Sequence, residues 1–191
     1  MADVLYNQFD SLPSIAYNIM LYLLDKEDIW KIMKYDDYDC LEKPNLTEDE
    51  KLSMIWRGEE NQADFNVFLS SLELDSVKDS RTILKVYDYM ISPENHLTSI
   101  VCMKFDMICL GKSSVINYKG MTCNRTTVLK TLLLQALNGV DVGGVGMLLF
   151  DNRLSRWCGS TLNLGNNKNA QGDGLVMAVR ISSLKDNNGK D

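Results

Sequence analysis

The stretch Cys123–Phe150, CNRTTVLKTLLLQALNGVDVGGVGMLLF, constrains the fold more than any other part of this chain. Asn124 stands where a side-chain oxygen can accept from the first free N–H groups of a helix. Val128, Leu129, Leu132, Leu133, Ala136 and Leu137 then recur at helical spacing, which gives a helix over 123–138 one apolar stripe. Asn138-Gly139 ends it, because glycine accepts the left-handed backbone found after many helices. Gly139, Gly143, Gly144 and Gly146 form a structural hinge. The hinge leads into Val145 and Met147–Phe150, a run short enough for a strand and apolar enough to be interior. A helix tied this closely to a buried strand must pack on the sheet that holds it.

The sheet is supplied by the sequence on either side. From Arg81 the period is two: Ile83, Lys85, Tyr87, Tyr89 and Ile91 alternate with Leu84, Val86, Asp88 and Met90. Ser92–His96 is a turn. A second strand over Thr98–Leu110 presents Val101, Met103, Phe105, Met107 and Cys109 on one face. Lys104 and Asp106 lie on the other, which is expected to be at least partly wet. Beyond Phe150 come a weaker strand near Leu154–Trp157, a Gly/Asn-rich loop over 159–174, and a closing strand with Leu175, Met177, Val179 and Ile181 on one side. The order β-β-α-β-β-loop-β describes an α+β core domain over residues 81–182, a mainly antiparallel sheet packed against one helix, with a frayed tail at 183–191.

Residues 1–80 differ in kind. They hold 18 Asp and Glu against 7 Lys and Arg, a net of −11, whereas residues 81–191 hold 8 against 13, a net of +5. This half is read as a helical acidic segment, an appendage that makes interactions. Ser14 is placed to cap a helix through Leu24, and a second runs from Asp25–Asp28 to about Tyr35, burying Ile29, Trp30, Ile32 and Met33. Asp36, Asp37 and Asp39 read as a solvated turn. Thr47 and Glu50 make a capping box for a helix to about Arg57, and residues 59–80 form an irregular connection with room for a short strand. The charge split suits identical subunits meeting acidic face to basic face, and the sequence pI near 4.8 argues against free nucleic acid as the main partner.

Chemistry is expected to be absent. Leu110-Gly111-Lys112-Ser113-Ser114 lacks the earlier glycine of a phosphate loop, since position 106 is Asp, and the glycines from 139 to 146 do not spell a dinucleotide fingerprint. The one histidine, His96, has neither cysteine nor carboxylate at ligand spacing and no nucleophile motif beside it. No enzyme activity, cofactor or metal is therefore expected. The five cysteines are read as reduced thiols. The apolar run from Ile15 to Leu24 is too short to cross a bilayer, and the acidic N-terminus is no secretory signal. What remains is the long loop, whose Asn163, Asn166, Asn167, Lys168 and Asn169 are the expected inter-subunit contacts.

The helix NRTTVLKTLLLQAL, the L-N-G that ends it, the short glycine linker and G-V-G-M-L-L-F resemble the neck and tail-terminator class of tailed-phage proteins. The likeness covers about residues 81–182. It implies a structural subunit of a hexameric or dodecameric ring, joining portal and tail around a channel through which DNA passes without specific binding. It further implies a virion protein assembled in the host bacterial cytoplasm, in contact with portal, connector or tail proteins. The alternative is a non-catalytic adaptor that docks a basic partner on its acidic helical half.

Overall fold

The computed structural model describes residues 11–71, 80–95, 98–111, 114–143, 146–150 and 170–182. Four α-helices are described: α1 (Leu12–Tyr22), α2 (Glu27–Lys34), α3 (Glu48–Ser53) and α4 (Arg125–Leu137). The strands are β1 (Val67–Phe68), β2 (Arg81–Pro93), β3 (Thr98–Leu110), β4 (Val115–Tyr118), β5 (Met121–Asn124), β6 (Val140–Asp141), β7 (Met147–Leu149) and β8 (Ala170–Ser182). Six of them form one sheet in the order β1-β2-β3-β8-β7-β6, and β4 and β5 form a separate hairpin. Only β1 runs parallel to its neighbour, β2; every other pairing is antiparallel. The chain is an α+β protein, as expected.

The centre of the sheet is a trio of 13-residue strands. β3 is hydrogen-bonded on both sides over its whole length, from Arg81↔Leu110 to Pro93↔Ser99 on β2 and from Thr98↔Ser182 to Leu110↔Ala170 on β8. Alternation then decides the faces. Leu84 and Val86 of β2, Val101, Met103, Phe105 and Met107 of β3, and Leu175, Met177, Val179 and Ile181 of β8 all enter one core. A bulge between Asp88 and Met90 shifts the β2 register and lets the strand twist.

One helix was expected on this face; α1, α2 and α4 all contribute to it. Ile15, Ile19 and Met20 of α1, Ile29, Trp30, Ile32 and Met33 of α2, and Val128, Leu129, Leu133 and Leu137 of α4 belong to the same cluster as Phe105. The boundary drawn at residue 80 thus runs between elements that share a core. Asn66 bridges them as well, its Nδ2 donating to Met33 O and to Thr82 O at 2.9 Å each.

Local signals mark the helix starts. Asn124 Oδ1 accepts from Thr126 N and Thr127 N, and Thr47 and Glu50 satisfy each other's backbone donors in the expected capping box. Ser14 is not a cap: α1 begins two residues earlier with Pro13 in its first turn, where a missing N–H costs nothing, and Ser14 Oγ donates back to Ser11 O at 2.8 Å. The helix expected to reach Arg57 stops at Ser53, because Ile55 leaves it for a parallel bridge to Val67.

Two further expectations are corrected. The chain between β3 and α4 folds as the β4–β5 hairpin, turning at Lys119 and Gly120, both with positive φ. The run to Phe150 is not interior: Leu148 is buried, but Met147, Leu149 and Phe150 remain 52%, 47% and 49% exposed. With only three residues near the sheet edge, β7 leaves Met147 and Leu149 on one face about half exposed. The strand expected near Leu154–Trp157, the loop residues Asn163, Asn166, Asn167, Lys168 and Asn169, the tail from 183, and His96 lie outside the described residues.

Candidate interaction surfaces

Among the described residues beyond 80, four cations, Arg81, Lys85, Lys104 and Arg125, are buried. Arg125, the first residue of α4, is fully buried, and its guanidinium donates to four backbone carbonyls: Ile32 (2.8 Å), Tyr35 (2.6 Å), Asp36 (3.1 Å) and Asp37 (2.8 Å). These are the free carbonyls at the C-terminal end of α2 and just beyond it, where a helix carries partial negative charge. Other cations do similar work. Arg81 Nη1 donates to the carbonyls of Gln62, Ala63 and Phe65, closing a short 3-10 turn at Gln62–Asp64. Lys51 reaches Leu24 O at 2.9 Å and pairs with Glu27 at 2.6 Å, while the other Glu27 oxygen accepts from Leu46 N.

The sheet face opposite the helices was expected to be partly wet around Lys104 and Asp106. The structure corrects this: Lys104 is 8% exposed and Asp106 4%. Lys104 Nζ lies 3.4 Å from Asp106 Oδ1, and it sits over the Tyr89 and Tyr87 rings at 5.1 and 6.0 Å from their centroids. Tyr87 donates to Asp106 Oδ2 at 2.8 Å, and Lys85, also buried, stands opposite Asp106 in the ladder. Burial, with the Asp106 hydrogen bond adding to it, holds the Tyr87 phenol well above its ordinary pKa. Apolar groups flank this band, Phe68, Ile83, Ile108 and Leu110 at one end and Cys102 and Val176 at the other. The arrangement is a buried ionic cluster within a sheet face, in which Asp106 Oδ2 accepts from Tyr87 while Oδ1 has the Lys104 charge at 3.4 Å and no hydrogen bond.

Burial also pushes the Cys40 and Cys109 thiols above their usual range. Among the described residues no group of three or more His, Cys, Asp or Glu is placed to hold a metal ion. No described helix is long and apolar enough to cross a membrane.

Among the described residues, large apolar side chains are exposed in several places, including Tyr89 and Ile91 on β2 and Val115 and Met121 on the β4–β5 hairpin. On α1, Tyr17, Leu21 and Tyr22 are 40%, 39% and 36% exposed. At β7, Met147 and Leu149 are about half exposed, and Phe150 just beyond it helps line a groove of about 270 Å³ whose walls include Leu134 and Val176 and the ion pair Lys130–Asp173. A second depression, about 330 Å³, lies between Lys26–Ile29 at the start of α2 and Leu132, Gln135 and Ala136 of α4.

A protein-family model described as YomW matches residues 26–170. The chain belongs to the YomW family. The family bears the name of a Bacillus prophage gene. No curated protein and no solved structure matches it. The YomW match begins just before α2 and ends at the first residue of β8, so it contains the Arg125 clamp and the Lys104–Asp106 cluster.

Of the residues expected to matter in this YomW chain, Gly139, Gly143 and Gly146 are described and Gly144 is not. They bracket a hairpin: β6 and β7 pair as Val140↔Leu148 and Asp141↔Met147, Asp141 Oδ1 accepts from Gly146 N, and Gly139 N donates to Leu148 O at 2.7 Å. At Gly146, φ is +132° and an added Cβ would stand 2.9 Å from Arg180 O. Sequence reasoning missed Arg125, which looks like an ordinary helix-start residue; its partners lie about ninety positions earlier, and no local pattern points to them.

Proposed function

We propose that this YomW-family chain is a structural subunit of a phage virion neck, a ring of identical copies that joins portal and tail around a DNA channel. The observation that carries the reading is the end of the sheet at β7, where Met147, Leu149 and the adjoining Phe150 are about half exposed while Leu148 between them is buried. Surface of that kind, in a chain whose family is named after a prophage gene, suits contact with another subunit. Cations buried as carbonyl clamps cannot grip phosphate, which suits a channel wall along which DNA moves. Ring order would be six or twelve, with portal, connector or tail proteins as neighbours and the host cytoplasm as the place of assembly. Light scattering on the full chain, alone and mixed with portal or tail proteins, should report a closed oligomer; a monomer at high concentration in every mixture overturns the reading.

One observation favours a second reading, a non-catalytic adaptor. Among the described residues beyond 80, Arg81, Lys85, Lys104 and Arg125 are buried, Lys130 and Arg180 hold Asp173 and Glu94, and Lys119 lies over the Tyr118 ring. They offer no basic face to receive the acidic helices of a neighbouring copy. A different, basic protein would then be the natural occupant of the acidic half. Capture of such a partner should weaken steeply with salt, and capture indifferent to salt rules the adaptor out.

A further inference from the structure

Alternation decides which face of the sheet a side chain takes, but not which residue it meets. Moving β2 along β3 by two residues returns every side chain to its own face. On the helix side such a shift changes little. Leu84 and Val86 stand opposite Met107 and Phe105; after a shift they would stand opposite Cys109 and Met107, or Phe105 and Met103, all of them buried and apolar. The hydrophobic pattern that builds the core therefore leaves the observed pairing and its two neighbours open.

The turn does not choose among them. Next to it the ladder runs from Met90↔Cys102 to Pro93↔Ser99, one residue out of step with the run from Arg81↔Leu110 to Asp88↔Met103, and the bulge takes up the difference. The far run needs a determinant of its own. We infer that the buried charges on the face opposite the helices are that determinant, a lock that holds β2 and β3 in one register. In the observed pairing Lys85 stands opposite Asp106 and Tyr87 opposite Lys104. Tyr87 donates to Asp106 Oδ2, and Lys104 lies 3.4 Å from Oδ1 and over the Tyr87 and Tyr89 rings.

Each shift breaks this arrangement. In one direction Lys85 comes opposite Lys104 and Asp106 opposite Ile83, so two like charges face each other and a carboxylate meets an apolar side chain. In the other direction Lys85 comes opposite Ile108, within the apolar group of Phe68, Ile83 and Leu110. β8 supplies no compensating charge at these positions, because the residues opposite Asp106 and Lys104 are Gly174 and Val176. Only the observed pairing sets Lys85 directly opposite Asp106. A buried ionic group adds little stability over apolar residues of the same volume, so its worth here lies in the choice of register.

The test is NMR on the full chain, reading contacts between α-protons of β2 and β3. Leu84 turns its amide away from β3, donating to Asn66 O at 2.8 Å, so Leu84–Met107 and Val86–Phe105 are pairs whose α-protons approach closely. The wild type should show these contacts alone. The triple variant Lys85→Met, Lys104→Met, Asp106→Leu should stay folded by circular dichroism and gain a second set, Val86 with Met103 or with Met107, slipped by two residues. Tyr87→Phe removes a hydrogen bond but keeps every charge, and should show the native set alone; a slip in this variant overturns the role of the charges. If the apolar variant does not fold, Lys85→Gln, Lys104→Gln, Asp106→Asn removes the charges while keeping polar side chains, and is read in the same way. A folded charge-free variant with only the native contacts overturns the lock, since pattern and turn then suffice. Failure of both charge-free variants to fold overturns it as well, because the charges would then be needed for stability and not for the choice of register.

Discussion

Arg125 does the most work of any single side chain, and its removal is the most direct test of how the layers are joined. Its guanidinium is the donor for four carbonyls at the end of α2. Arg125→Met should leave those carbonyls in a buried space without donors and cost about 3–5 kcal/mol, read from urea unfolding. Arg125→Lys should recover only part of this, because one ammonium cannot reproduce the planar fork. Nothing near Arg125 in the sequence announces this role. Asn124, one residue earlier, was legible because a cap and its N–H groups lie within three positions of each other. Lys104 and Asp106 show the other limit. Alternation correctly assigned them to the face opposite Phe105, but it says which way a side chain points and nothing about how much solvent it meets.

At the level of elements, the helix, the glycine turn and the two long strands could be read because their periods are long and unbroken. β3 was bounded correctly from Thr98 to Leu110. What could not be read is where an element sits. β7 is as apolar as a core strand, yet it lies next to the edge strand β6, so Met147 and Leu149 remain about half exposed while Leu148 is buried. β4 and β5 were missed because four residues are too few to establish a period. The hairpin β6–β7 makes a prediction of its own. Gly139→Ala meets open space and suffers only the left-handed backbone, at about 1 kcal/mol. Gly146→Ala meets the Arg180 carbonyl as well and should lower the melting temperature distinctly further.

For the whole molecule, the useful unit is the core that α1, α2 and α4 share with the sheet. The sequence suggested an acidic appendage beside a domain, because charge and hydrophobic period both change near residue 80. Composition marks that change, but packing crosses it: Trp30 is fully buried, in the same cluster as Phe105 and Met177. A fragment of residues 81–191 should therefore fail to unfold cooperatively in urea, whereas the full chain should show a single transition; a fragment that melts sharply by itself would restore the boundary. The strand order has a consequence for biosynthesis. β3 takes β2 as a neighbour almost as soon as both have left the ribosome, but its other neighbour, β8, is translated some sixty residues later. During that interval one side of β3 has unpaired amides, so the nascent chain is most prone to mispairing before β8 emerges, and co-expressed chaperones should raise soluble yield by acting in that window.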